Sequence, residues 1–272
     1  MTVRILVRGG GDLASGVVVR LYRAGWQVLV TELPNPLAVR RYVSFAQAIY
    51  DGRITIEDVP AQRIESPAEL TSCLEKGIVP VLVDPGLAAL DAFRPHVLVD
   101  GRMRKKPPET RLDAAPLVIG LGPGFTAGQD CHAVVETNRG PFLGRVIWSG
   151  SAQADTGIPE RVGDYRAERV LRAPTSGLVE TASEIGSQVR AGEVLARVAG
   201  QPVAAPFDGV LRGLVQAGLA VNAGEKIGDV DPRGDARLCW LVSDKSLSVG
   251  GGVLEAILSY KSLRPLLAES TP

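Results

Sequence analysis

Ala173-Pro174-Thr175-Ser176-Gly177-Leu178 recurs as Ala205-Pro206-Phe207-Asp208-Gly209-Val210, thirty-two residues further on. The stretch that follows repeats as well. Gly186-Ser187-Gln188-Val189-Arg190-Ala191-Gly192-Glu193-Val194-Leu195 becomes Gly218-Leu219-Ala220-Val221-Asn222-Ala223-Gly224-Glu225-Lys226-Ile227 at the same offset, without a gap. A fixed period of this kind marks two copies of one supersecondary unit. Within each copy, Pro and Gly punctuate short runs of alternating apolar residues, which read as strands and turns. A single copy cannot bury its own apolar face, so two copies facing each other are expected to form a small flattened all-β barrel.

The repeat resembles the biotinyl/lipoyl carrier domains and their barrel-sandwich relatives. A carrier needs a lysine on the hairpin between the copies. Here that hairpin reads Arg197-Val198-Ala199-Gly200-Gln201-Pro202-Val203 and has none. A swinging-arm role is therefore not expected, and the fold is expected to act as a structural or docking module, since fold alone does not imply function.

Working outward, the chain of 272 residues is long enough for two domains. Lys plus Arg and Asp plus Glu balance at 30 each, which argues against nonspecific nucleic-acid or anionic-membrane binding. No apolar run approaches the roughly 20 residues of a transmembrane helix, and the start MTVRILVRGGGD does not read as a signal peptide. Cys73, Cys131 and Cys239 are scattered, an ordinary cytosolic complement, so a cytoplasmic location is expected. With only His96 and His132 present, a His-rich metal site is excluded and no metal site is assigned.

The first half alternates strand and helix. Val3–Val7 is a short β-run, Gly9-Gly10-Gly11-Asp12-Leu13-Ala14 a glycine-rich turn into a helix through Ala24, and Val28–Thr31 a second strand ending at Glu32. This is the β-turn-α-β context of a dinucleotide fingerprint: Gly9, Gly11 and Ala14 at the turn, Glu32 near the spacing of a ribose-binding acid. Asp12 counts against it, because a carboxylate in the first helical turn repels a pyrophosphate unless it turns away or caps. A vestigial turn without ligand is the other reading. Arg40 and Arg41, just beyond Glu32, stand where a terminal phosphate is received, or on an exposed helix face.

Further apolar strands follow at Val79–Val83, His96–Val99 and Leu117–Gly120, with a helix around Pro67–Lys76. Buried parallel strands read this way, and ligands in open α/β sheets bind outside their carboxyl ends. That edge collects Glu32, Asp84, Asp100 and the basic stretch Arg102 to Lys106, where Lys105 and Lys106 clamp phosphate or form a solvated loop. A second glycine-rich loop, with Gly120, Gly122 and Gly124, either converges amides on an anion or makes a tight crossover. His132 and Lys105 are the candidates for proton handling. Asp130, His132 and Glu136 converge poorly for a metal if they share a strand. Leu238–Val242 resembles a strand, and Gly250-Gly251-Gly252 reads as a flexible turn before a final helix, either a hinge or an anion site.

The expected fold class is thus α/β: a Rossmann-like parallel sheet domain (1–165) followed by a lipoyl/biotinyl-like barrel-sandwich domain (166–237), with a C-terminal strand and helix (238–272) packing back on the first domain.

Strings along nearly the whole chain resemble one family. They include Gly9-x-Gly11-Asp12-Leu13-Ala14-x-Gly16, Thr31-Glu32-Leu33-Pro34, Glu136-Thr137-Asn138-Arg139-Gly140, Ser243-Asp244-Lys245 and Gly250-Gly251-Gly252-Val253-Leu254-Glu255. The family is that of the selenium-dependent molybdenum hydroxylase system proteins of the YqeB type. The resemblance implies an accessory or maturation factor that binds a dinucleotide-like ligand such as molybdenum cofactor (a molybdopterin dinucleotide), with a molybdenum hydroxylase or a sulfur/selenium transferase as partner. An NAD(P)-dependent oxidoreductase of the same pathway and a non-catalytic docking scaffold are the alternatives. Sulfur or selenium transfer through Cys131 is not an expected feature.

Overall fold

The computed structural model describes residues 2–103, 109–155, 157, 162, 165 and 167–269. The chain divides into two compact units. The first takes Met1–Pro36, Ser44–Asp155 and Val242–Pro272, and the second takes Leu37–Val43 and Thr156–Leu241.

The first unit is built in chain order from β1 (Arg4–Arg8), α1 (Asp12–Arg23), β2 (Gln27–Glu32), α2 (Ala48–Asp51), β3 (Arg53–Ile56), β4 (Val59–Ile64), α3 (Leu70–Glu75), β5 (Val79–Val83), α4 (Leu90–Phe93), β6 (Val97–Asp100), β7 (Leu117–Leu121), β8 (Thr126–Ala127), β9 (Ala133–Val135), β10 (Val146–Ile147) and β11 (Gly150–Ser151). It closes with α5 (Asp244–Ser259) and α6 (Arg264–Glu269). Nine strands form one sheet in the order β10-β9-β7-β6-β1-β2-β5-β4-β3.

Its centre is parallel: Leu6 stands beside Leu29 of β2 and Leu98 of β6, and Leu98 beside Val118 of β7. These strands are buried on both faces, which is why they read as near-continuous apolar runs. Leu6, Leu29, Leu82, Leu98, Val118 and Val134 share one face with Leu70, Cys73, Phe93 and Phe125 packed upon them.

The expected parallel sheet requires correction at both edges. β3 pairs antiparallel with β4, and β10 pairs antiparallel with β9, so the sheet is mixed. The β3–β4 hairpin turns at Glu57-Asp58, with Glu57 at φ 54°. A turn without Asn-Gly or Asp-Gly carries little sequence signal.

The second unit contains β12 (Val170–Arg172), β13 (Gly177–Thr181), β14 (Gln188–Val189), β15 (Val194–Val198), β16 (Gln201–Ala204), β17 (Gly209–Leu214), β18 (Ala220–Val221) and β19 (Lys226–Asp231). They form two four-stranded sheets, β12-β19-β17-β14 and β16-β15-β13-β18. Shifting every strand of one sheet by one repeat gives the order of the other. Each sheet therefore takes strands from both copies, and neither copy owns a sheet.

The expectation of an all-β barrel-sandwich domain appended after a parallel sheet is corrected as well. The antiparallel sheets belong to a unit that also takes in Leu37–Val43 and the 3-10 turn Ala236–Cys239, and the chain returns afterwards to the first unit. The strand expected over Leu238–Val242 is in part that 3-10 turn. Arg40 donates to the carbonyls of Leu238 and Leu241 at 3.0 and 2.9 Å, and Arg41 donates to the Leu214 carbonyl at 2.7 Å and the Gln216 amide oxygen at 3.0 Å. These guanidiniums fasten the 37–43 segment to the strands of its own unit.

The triple glycine is neither a turn nor a hinge. Gly250, Gly251 and Gly252 lie inside α5, which Ser243 caps by accepting the Ser246 amide at 3.0 Å. A Cβ on Gly250 would lie 2.6 Å from the Gly16 carbonyl oxygen, and one on Gly16 would lie 2.5 Å from the Ser246 backbone. A Cβ on Gly252 would lie closer still to the Gly144 carbonyl oxygen, whereas Gly251 faces open space. The glycines let α5 lie directly on α1 and on the loop before β10.

Candidate functional site

The carboxyl edge of the nine-stranded sheet holds most of the residues singled out by sequence. The fingerprint turn is there, but the amides of Gly9 and Gly10 and the Gly10 carbonyl are engaged within the fold. The Gly9 amide donates to the Thr31 carbonyl at 2.7 Å, and the Gly10 amide donates to Glu32 Oε1 at 2.9 Å. The Gly10 carbonyl accepts from the Ala46 amide at 2.9 Å and from the Ser15 hydroxyl at 3.1 Å. A Cβ on Gly10 would lie 2.7 Å from the Ala46 nitrogen. The backbone that approaches this glycine is therefore the chain's own 45–46 segment. Gly11 faces open space, and Ala14 is buried against Gly101.

Glu32 turns inward. Its second oxygen takes the Leu33 amide at 2.6 Å, and burial pushes its pKa up, opposed by the two amides and the charge of Arg102. A dinucleotide seated on this turn must first displace Glu32 from Gly10. Asp12, in the first turn of α1, accepts the Ser246 hydroxyl at 3.1 Å.

The other acids of this edge are similarly committed. Asp84 takes the Ala88 and Ala89 amides at 2.9 and 2.8 Å. Glu136 takes the amides of Thr137, Asn138 and Gln153, each at 2.7 Å. Asp100, fully buried, accepts from Arg102 Nη2 at 2.8 Å and from the Thr110 hydroxyl. Thr110 in turn accepts from Arg8 Nη1 at 2.9 Å, and Arg8 Nη2 donates to the Pro85 carbonyl at 2.7 Å. Arg8 and Thr110 were not found by sequence reading. The available signal was Arg8 ending an apolar strand beside a parallel neighbour that ends in Asp100, because a buried charge demands a partner.

Lys105 and Lys106 lie outside the described residues. Gly120 and Gly122 are packing positions: a side chain would strike the Phe125 ring at the first and Thr137 at the second. Gly124, at φ 101°, allows the turn between them and Thr126.

His132 immediately precedes β9, level with Val118, near the amino end of β7 and away from the fingerprint turn. Its backbone amide donates to the Val118 carbonyl at 2.8 Å, and its Nδ1 accepts the Val118 amide at 2.9 Å. The ring therefore carries its hydrogen on Nε2, and burial lowers its pKa. Tyr260 meets the ring edge-on at 5.7 Å and stacks on Trp148 at 6.1 Å. Beside His132 opens a cavity of about 490 Å³, lined by Thr110, Arg111, Leu112, Asp113, Gln129, Asp130 and His132. Cys131, adjacent in sequence, is fully buried, and burial raises its thiol pKa to about 11. That disfavours the thiolate, the nucleophilic form of the side chain. Among the described residues, no group of three or more His, Cys, Asp or Glu is placed to hold a metal ion. No helix among them is long and apolar enough to cross a membrane.

No family model matches the chain. It is 47% identical over 254 residues to the uncharacterized protein YqeB of Escherichia coli (strain K12), a match covering 93% of this chain and 47% of that protein. The likeness to YqeB-type proteins is thus shown, and the chain spans about half the length of the curated relative it matches. Among solved structures, an aspartoacylase family protein from Mesorhizobium loti is 11% identical over 85% of each chain, with a TM-score of 0.27. The product-bound ectoine utilization protein EutE (DoeB) from Ruegeria pomeroyi is 12% identical over 84% of this chain and 85% of that one, with a TM-score of 0.25. Likeness of this degree assigns neither a fold nor an activity.

Proposed function

We propose that the chain is an accessory factor of a molybdenum hydroxylase system and acts by holding a dinucleotide-like ligand such as molybdenum cofactor, without chemistry of its own. The observation that supports it is the commitment of the edge carboxylates. Glu32, Asp84 and Glu136 are spent on backbone amides and Asp100 on Arg102 and Thr110. A general acid or base must reach a substrate proton, and these groups face inward. The cavity beside His132 offers hydrogen-bonding groups without a thiol nucleophile, and its size falls within the range of small-molecule sites, roughly 300–1,000 Å³. Delivery implies a partner, and a hydroxylase or a sulfur/selenium transferase fits that role.

The NAD(P)-dependent alternative fares worse on the same geometry. Its adenosine ribose needs the carboxylate of Glu32, which is spent on the Gly10 and Leu33 amides. The test is calorimetry and thermal unfolding of the purified chain with molybdopterin cytosine dinucleotide, NAD(H) and NADP(H). Binding of the first at about 100 times its Kd stabilises by about 2.7 kcal/mol. No heat and no thermal shift with that ligand would sink the reading.

A further inference from the structure

We infer that the cavity beside His132 binds a heterobicyclic ring through a 2-amino-4-oxo edge, the hydrogen-bonding pattern shared by pterins and guanine. The inference deepens the ligand-holding role proposed above and rests on it for biological context, but the geometry stands by itself.

Two groups in the cavity are held rigidly and have a hydrogen-bonding atom left over. Asp130 is fixed by a reciprocal pair: its amide donates to the Thr126 carbonyl at 3.0 Å, and its Oδ2 accepts the Thr126 amide at 2.9 Å. Its Oδ1 has no hydrogen-bond partner among the described residues. His132 is fixed by its own reciprocal pair with Val118 and by the edge of Tyr260. With Nδ1 used as acceptor, Nε2–H is a donor without a partner among the described residues. Gln129 adds an amide with one donor group and one acceptor, likewise unengaged among them.

The complementary ligand edge follows from this set. A carboxylate oxygen that is anchored through its twin accepts from adjacent ring N–H and exocyclic amine groups, giving charge-assisted bonds. A neutral imidazole N–H and an amide N–H donate to a ring carbonyl or ring nitrogen. A 2-amino-4-oxo heterocycle presents that pattern on one edge, whereas a dioxo ring lacks the amine and an adenine reverses the polarity. The wall bearing Thr110 is rigid, because its hydroxyl is tied to Asp100 and Arg8. At the rim, Arg111 and Asp113 form an exposed forked pair at 3.1 and 3.0 Å.

The experiment titrates the full chain by calorimetry with pterin, guanosine, lumazine (the 2,4-dioxo analogue of pterin) and adenosine. Pterin or guanosine is expected to bind, with lumazine and adenosine weaker by roughly tenfold or more, the worth of one charge-assisted bond. Whichever of pterin and guanosine binds tighter identifies the ring system. Asp130→Asn keeps a carbonyl oxygen for the Thr126 amide and removes the charge. It is expected to lower pterin or guanosine affinity by the same factor while leaving the unfolding midpoint unchanged. Equal affinity for pterin and lumazine, an unaffected Asp130→Asn variant, or no binding by either 2-amino-4-oxo ring overturns the inference. If molybdopterin cytosine dinucleotide binds wild type and Asp130→Asn alike, the cavity assignment falls and the ligand-holding role survives. If pterin binds through Asp130 and the dinucleotide does not bind, the reverse holds.

Discussion

The carboxylate of Glu32 accepts the amide hydrogen of Gly10 at 2.9 Å, so the acid at the end of the second strand closes the glycine turn at the end of the first. In a dinucleotide site these two features serve the ligand. Here they serve each other, and the 45–46 backbone fills the remaining approach to Gly10.

Glu32→Ala strips the acceptor from the Gly10 and Leu33 amides. An amide left without its partner in a buried setting costs about 1–3 kcal/mol. The urea midpoint is expected to fall accordingly. An unchanged midpoint would mean that water satisfies both amides and that Glu32 does not hold the turn.

The glycines of α5 are expected to separate by position. Gly251→Ala meets nothing within 4 Å and gains about 1 kcal/mol from helix propensity. Gly250→Ala and Gly16→Ala carry the same propensity gain but force the α1–α5 contact apart, since the new Cβ atoms lie 2.6 and 2.5 Å from backbone. Overpacking costs typically 1–3 kcal/mol, so both variants should unfold at lower temperature while Gly251→Ala unfolds higher. Equal effects at all three positions would refute the close helix contact.

Asp231 gives the second unit an acid-sensitive lock. Burial alone raises its pKa, but bonds from Arg233 and the charge of Arg212 overcome this and hold it down to about 2. A carboxylate depressed in the folded state stabilises fully above its unfolded value, about 3.9, and loses that contribution as pH falls through about 2. Denaturation midpoints measured from pH 6 to pH 2 should therefore fall steeply below pH 4 in wild type and less steeply in Asp231→Asn. Parallel profiles would exclude Asp231 as the cause.

The three thiols should be silent in the native state. Cys73, Cys131 and Cys239 are all buried, and burial raises each pKa. A thiol reagent at pH 8 is expected to label none of them until denaturant is added. Rapid native labelling of Cys131 would reopen a thiol-transfer role.

Local patterns were legible wherever one residue and its neighbours carried the cause. The apolar strand Val79–Val83 is the observed β5, residue for residue, because a strand buried on both faces needs an unbroken apolar run. The repeat correctly indicated that neither copy stands alone. The β3–β4 hairpin was missed because its Glu57-Asp58 turn resembles ordinary polar sequence. Gly250-Gly251-Gly252 misled, because glycine signals flexibility and close approach alike, and only the partner helix tells which. Of the candidate site, Asp130 and His132 were visible by residue type, but Thr110, Arg111, Asp113 and Gln129 joined them only when the loop before β7 came alongside the loop before β9.

The sequence by itself determined the repeat with its strands, the buried strands of the sheet, the missing carrier lysine and the likeness to YqeB-type proteins. These depend on period, burial pattern and residue identity, all of which are written locally. Tertiary structure alone decided that the sheet is mixed, that Arg40 and Arg41 bind carbonyls, that Glu32 occupies its own glycine turn, and that a cavity forms around His132. Each of those outcomes depends on which distant group reaches a polar atom first. A buried donor or acceptor takes whatever partner the fold brings within about 3 Å, and no spacing along the chain encodes that distance.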